Sequence, residues 1–157
     1  MSSGSRRAQR LRESSTVYLA PRAVMVDSNV LIDVIENDPN WTEWSVAHLE
    51  AAMLDGGLVI NPIIYTELAA GFADVETLEA AIAPFRLIRE PLPWEAAFMA
   101  SQAFKRYRKR GGKKRSPMPD FYIGAHASLG GYRLLTRDPL RYREYFSRLE
   151  VIAPDAP

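Results

Sequence analysis

The sequence predicts an α/β domain built on a mainly parallel sheet, and three observations carry that prediction. Short apolar runs alternate with stretches of helical periodicity from Ala23 to the end of the chain, the alternation that βα units produce. The first two runs, Ala23–Val26 and Leu58–Asn61, are near-continuously apolar rather than alternating, as in strands covered on both faces. Capping and breaking residues stand where helices should begin and end, notably Asn61-Pro62, Pro119-Asp120 and the glycine pairs Gly56-Gly57, Gly111-Gly112 and Gly130-Gly131.

Residues 1–22 have no apolar periodicity and are rich in Ser and Arg, which predicts a disordered N-terminal extension: a lead-in, an upstream translation start or sequence added by cloning. A single domain is expected over 23–154, because 157 residues that are 47% hydrophobic suffice for one sizeable core. The expected strands are Ala23–Val26, Leu58–Asn61, Arg86–Ile88, Tyr132–Thr136 and Leu149–Ile152. Between the first two lie a helix from Asn29 to Asn37, with Val30, Leu31, Val34 and Ile35 inward, and one whose stripe is Trp44, Ala47, Ala51 and Leu54. A third helix opens at Asn61-Pro62 and can close at Gly71; a fourth spans about Asp74 to Ala83. The fifth runs from Trp94 to roughly Arg108, with Ala97, Ala100, Phe104 and Tyr107 at helical steps. The sixth begins at Pro119-Asp120 and ends at Gly130-Gly131, and the last runs from Pro139 through Tyr142 to Phe146.

Composition excludes several chemistries. The chain has no cysteine, so neither a disulfide framework nor a thiolate site is possible, and two histidines, His48 and His126, are too few for a zinc cage. Any metal must be held mainly by oxygen. The longest apolar stretch, Leu58 to Tyr65, is too short to span a bilayer, and no apolar targeting region precedes it, so a cytoplasmic protein without membrane contact is expected. Net charge is only +1, yet eight of the eleven residues from Lys105 to Arg115 are Lys or Arg, so positive charge is concentrated rather than absent.

Acids that directly follow strands carry most weight, because open parallel sheets bind ligands beyond the carboxyl ends of their strands. Asp27 follows the first strand, Asp138 follows Tyr132–Thr136 by one residue, and Asp120 stands in the first turn of the helix leading into that strand. Glu67 lies three and four residues after Ile64 and Ile63, within the buried stripe of its own helix, where a carboxylate needs a partner. Asp33 is read as solvated. Taken singly, Asp27, Asp138 and Asp120 could each be helix caps or dipole partners. Taken together without a cation they would repel one another, so their convergence implies a metal; all-oxygen ligation suits Mg²⁺ or Mn²⁺.

These residues resemble the PIN-domain nucleases over most of the chain from Val24 to Pro154. VDSNVLIDV at 26–34 resembles the family's opening strand and acid, IIYTELAAG at 63–71 its second-acid motif and PDFYIGAHA at 119–127 its third. LLTRDPLRYREYF at 134–146 and LEVIAP at 149–154 look most like the VapC-class toxins of toxin–antitoxin systems. The resemblance implies a three-layer α/β/α sandwich and a Mg²⁺- or Mn²⁺-dependent endoribonuclease. It also implies a homodimer held inactive by a VapB-like antitoxin. It assigns Asp27, Glu67, Asp120 and Asp138 to metal and catalysis, with Glu67 a candidate to orient or deprotonate the attacking water.

Asn29 and Thr136 are candidates to orient those ligands through hydrogen bonds, although Thr136 could equally be an ordinary strand hydroxyl. An acidic pocket repels RNA unless cations recruit it, and Arg108, Lys109, Arg110, Lys113, Lys114, Arg115 and Arg137 are the candidate phosphate contacts. Arg141 also flanks Asp138. Tyr107 and Tyr122 could stack on bases, with core packing the plainer role, and His48 and His126 are expected to be structural. Trp41, Trp44, Phe72 and Phe85 offer apolar surface that a partner or the core itself could cover. The rival readings are a PIN-like module that grips RNA without cutting it, a phosphoryl-accepting receiver domain and a structure-specific DNA nuclease.

Overall fold

In the computed structural model, which describes residues 22–155, each expected strand forms, though most are shorter than the apolar run that marks them. They are Val24–Val26 (β1), Leu58–Ile60 (β2), Ile88–Arg89 (β3), Arg133–Leu135 (β4) and Val151–Ile152 (β5). All pair in parallel in one sheet of order β3-β2-β1-β4-β5, with Met25 opposite Val59 on one side and Leu134 on the other. Every residue of β1 and β2 is buried. Successive side chains of a strand point to opposite faces, so both faces of the sheet centre are covered, which gives three layers. The chain builds outward from β1 to β3, then returns to place β4 on the other side of β1. The order therefore reverses between β1 and β4, and a crevice opens at their carboxyl ends. The extension expected over 1–22 lies outside the described residues, apart from Arg22.

The helices are Ser28–Ile35 (α1), Thr42–Leu54 (α2), Pro62–Ala69 (α3), Val75–Ile82 (α4), Trp94–Lys109 (α5), Pro119–Gly130 (α6) and Leu140–Tyr145 (α7). Their ends follow the expected chemistry. Asn61 accepts a hydrogen bond from the Ile64 amide and Asp74 accepts one from Thr77, each satisfying an amide that the first helical turn leaves open. Gly131 closes α6 at φ 68, in the left-handed region that suits glycine. Gly56 has φ 101, and a Cβ there would sit 2.7 Å from the backbone of Ala23, so the turn before β2 needs glycine twice over.

Three expectations fail. The strand placed at Arg86–Ile88 begins two residues later, because a 3-10 turn over Ala83–Phe85 ends with Arg86 in the left-handed conformation at φ 50. On α2 the buried residues are Ser45, Leu49 and Ala52, whereas Ala47 and Ala51 face solvent and Leu54 is 89% exposed. The cause is Asp33. Expected to be solvated, it is 2% exposed and accepts a 2.7 Å hydrogen bond from the Ser45 hydroxyl, so α2 turns a serine inward instead of the apolar stripe. Of the two covers left open for Trp44, Phe72 and Phe85, the core is the one observed, and Trp41 lies against Trp44. The large apolar side chains most open to solvent are instead Leu54, Trp94, Leu140 and Phe98.

Candidate active site

Asp27 is delivered to the crevice by β1 and fixed there from three sides. Its backbone amide donates to the Leu135 carbonyl at 2.9 Å, continuing the β1–β4 ladder past Val26. One carboxylate oxygen accepts from the Ser28 amide at 2.9 Å, capping α1. The other accepts from the Thr136 hydroxyl and the Tyr142 hydroxyl, both at 2.9 Å. Asp27 is thus both a helix cap and the centre of a polar network. Asp138 makes no capping bond; the residue at the head of α7 is Pro139.

Asn29, the second residue of α1, ties the ends of β1 and β4 together. Its Nδ2 lies 3.3 Å from both Thr136 Oγ1 and Asp138 Oδ2, and its Oδ1 accepts from the Arg137 amide at 3.2 Å. Thr136 in turn accepts from the Asp138 amide at 3.1 Å. Both orienting residues expected from sequence therefore touch acids, and Thr136 is a fully buried part of the network rather than an ordinary strand hydroxyl.

Electrostatics join the other two acids to this group. Glu67 projects from α3 with Oε1 buried and without a hydrogen-bond partner. Its pKa rises to about 7, chiefly through burial and then through the charges of Asp27 and Asp120, against a hydrogen bond from Ser28. Burial also raises Asp27 and Asp120; Arg141 pulls Asp120 down, whereas the Asp138 charge pushes it up. Four carboxylates from β1, α3, α6 and the β4–α7 loop thus share one field.

Their donor chemistry fits a hard divalent cation: oxygen only, mutually repelling, with one buried oxygen unpartnered. Among the described residues, no three carboxylates or imidazoles converge tightly enough to enclose an ion as they stand. Side-chain rotation would have to close the group. Repulsion between the acids, and the Arg141 ion pair to Asp120 at 3.3 Å, both hold it open.

The basic residues divide sharply. Arg137 is not a free phosphate contact: its Nε lies 2.6 Å from buried Asp33, and its guanidinium covers the Trp41 ring. Arg108 donates to the carbonyls of Gly112 and Lys114, bracing the loop after α5, and Arg110 pairs with Glu144 at 2.8 Å. Lys109, Lys113, Lys114 and Arg115 remain exposed. Tyr107 packs on Phe104, Phe121 and Tyr145, and Tyr122, also partly buried, lies against the core. His48 stacks on Trp44, and buried His126 bridges Asn61 and Glu90.

Sequence reasoning missed Tyr142, Ser28 and the Asp120 contact of Arg141. Tyr142 sits four residues after Asp138, one helical turn away, and that spacing was the available signal.

A model of the PIN domain family matches residues 24–147. No curated protein matches the chain significantly. Among solved structures, the fold is similar to VapBC2 from Rickettsia felis bound to a promoter DNA fragment (TM-score 0.67, 18% identity, covering 85% of this chain and 99% of that one). It is also similar to VapBC-1 from nontypeable Haemophilus influenzae (TM-score 0.63, 20% identity, 83% and 97%). A third likeness is to DNA-bound VapBC from Salmonella typhimurium (TM-score 0.60, 23% identity, 84% and 98%).

Proposed function

Because the chain belongs to the PIN-domain family, we propose that it is a divalent-metal-dependent endoribonuclease, the toxin of a toxin–antitoxin pair of the VapC class. The observation that carries the proposal is the gathering of Asp27, Glu67, Asp120 and Asp138 at the β1/β4 switch point with Glu67 Oε1 unpartnered. Such an arrangement costs stability unless a cation repays it.

Mg²⁺ or Mn²⁺ bound there would activate water for in-line attack on a phosphodiester and offset charge on the attacking and leaving oxygens. The four acids would hold the ion. Thr136, Tyr142 and Asn29 keep Asp27 and Asp138 in fixed orientation through the bonds given above. Glu67, buried beside Asp27 and Asp120, is the candidate to orient the attacking water. Lys113, Lys114 and Arg115, exposed just before α6, would collect RNA phosphates, whereas Arg137 serves the fold. Trp94 and Phe98, one turn apart on α5 and 89% and 69% exposed, support a partner such as an antitoxin or a second subunit.

Cleavage of total RNA by the purified protein in Mg²⁺, Mn²⁺ or EDTA tests the proposal, alongside Asp27→Asn and Asp120→Asn variants with folding verified by circular dichroism. Discrete fragments that require metal and vanish in both variants are expected. RNA bound but uncut under every metal condition would replace this reading with the non-cleaving RNA-binding module.

A further inference from the structure

We propose that Arg141 is an exchangeable internal counter-ion of the acidic site, holding Asp120 until a divalent cation displaces it and then turning to a phosphate of the RNA. The inference rests on the metal-nuclease reading above and adds a residue and an order of events to it.

Among the described residues, Arg141 makes the only ion pair to any of the four acids, with Nη1 3.3 Å from Asp120 Oδ2. The other arginine beside the site, Arg137, is committed to the buried carboxylate of Asp33 and is not exchangeable in the same way. The Arg141 pair is different in kind. Its two side chains are 39% and 32% exposed, and a pair this open to water is weak enough for a competing cation to break. A divalent ion that ligates Asp120 through Oδ2, or through both oxygens, competes with the guanidinium for that carboxylate.

What surrounds Arg141 determines where it goes after release. Its guanidinium lies 5.9 Å from the ring centres of Phe121 and Tyr107, an aromatic floor that keeps the cation beside the site. It also lines an open groove of about 490 Å³ with Asp120, Asp138, Pro139 and Leu140. Glu144 on the same groove is already paired with Arg110 at 2.8 Å. A phosphate drawn to the acids by metal would meet a planar donor suited to its oxygens. The device keeps the acidic cluster partly neutral without metal and, once metal has arrived, frees an arginine that already lines the groove to meet a phosphate.

Mn²⁺ affinity of the full-length protein, measured by calorimetry, tests this with wild type, R141Q and R141K, and with R141M as a second charge-free variant should R141Q fail to fold. R141Q is expected to bind Mn²⁺ about two- to fivefold more tightly, because removing an exposed ion pair frees Asp120. R141K keeps the charge and stays near wild type. At saturating Mn²⁺, R141Q should raise the KM for a labelled single-stranded RNA roughly tenfold, with kcat changed less. Unchanged or weaker Mn²⁺ binding in folded R141Q overturns the proposal, since a merely structural arginine would leave affinity alone or lower it. Wild-type protein that binds no Mn²⁺ overturns the metal-nuclease reading itself, an outcome distinct from a metal-binding wild type whose R141Q variant is unaltered.

Discussion

One oxygen of Glu67 is buried without a donor while two other carboxylates press on it, so protonation of this side chain governs folding as well as chemistry. With a pKa of about 7 against an ordinary 4.5, the folded chain binds a proton that the unfolded chain has already lost between those values. The contribution of Glu67 to the stability of the metal-free protein is therefore fully present below about pH 4.5 and is lost as pH rises through about 7. For a half-exposed group, solvent screening reduces the effect to roughly 1–2 kcal/mol. Urea unfolding in EDTA should show a lower midpoint at pH 8 than at pH 5.5. E67Q should flatten that difference, and Mg²⁺ at pH 8 should restore the midpoint in wild type but not in E67Q. A pH-independent wild-type midpoint would mean that the cluster carries no such repulsion. Tyr142→Phe makes a complementary case, removing one 2.9 Å donor to Asp27 from a fully buried ring. A stability loss of about 1 kcal/mol is expected by denaturant titration, together with weaker metal binding, because Asp27 then ionises less readily.

At the scale of elements, the buried Asp33 couples the α1–α2 pair to the loop that carries Asp138. Arg137 reaches Asp33 with its side chain and Asn29 with its backbone amide, so one residue fastens both the helix pair and the acid beside it. Arg137→Ala strands a carboxylate that is 2% exposed, and such a loss costs on the order of 3 kcal/mol. The denaturation midpoint should fall accordingly, and the double variant Asp33→Asn/Arg137→Ala should recover part of it. A loss in the double variant equal to the sum of the two single losses would show that the two side chains act independently. This coupling was invisible in sequence for a physical reason. Ser45 and Asp33 are twelve residues apart, and nothing in the apolar periodicity of α2 shows that a serine, not Ala51 or Leu54, must turn inward to meet a carboxylate. Where local chemistry fixes an end, as with the Asn61 cap of α3 or the Gly131 stop of α6, sequence and structure agree closely. Asp27, Glu67, Asp120 and Asp138 were legible because strand ends and a buried helix stripe are local patterns. Tyr142 and the Arg141 pair depend on how α7 packs over the crevice, which no local pattern states.

Across the whole molecule, acids gather in the switch-point crevice while an exposed basic loop precedes the helix that carries Asp120, and the two must cooperate for a polyanion to approach. The topology supplies the connection: α6 runs from the basic loop into β4, so Lys113, Lys114 and Arg115 stand a few residues from an acid of the crevice. Their effect on RNA is expected to be electrostatic and insensitive to sequence, because phosphate contacts position a nucleic acid without reading its bases. Replacing all three by Gln should weaken binding of single-stranded RNA at low salt. It should also reduce the magnitude of the slope of log K against log salt by about 2, given roughly 0.7 per phosphate contact on single strands. Stability should be unchanged within about 0.5 kcal/mol, since exposed substitutions remove no buried partner. Arg137→Ala is the control that separates the two classes of cation, because it should lower stability while leaving the salt slope nearly intact. If instead the triple variant keeps the wild-type slope and Arg137→Ala loses it, RNA approaches over the α1–α2 side of the crevice, and the basic loop is a solvated charge run.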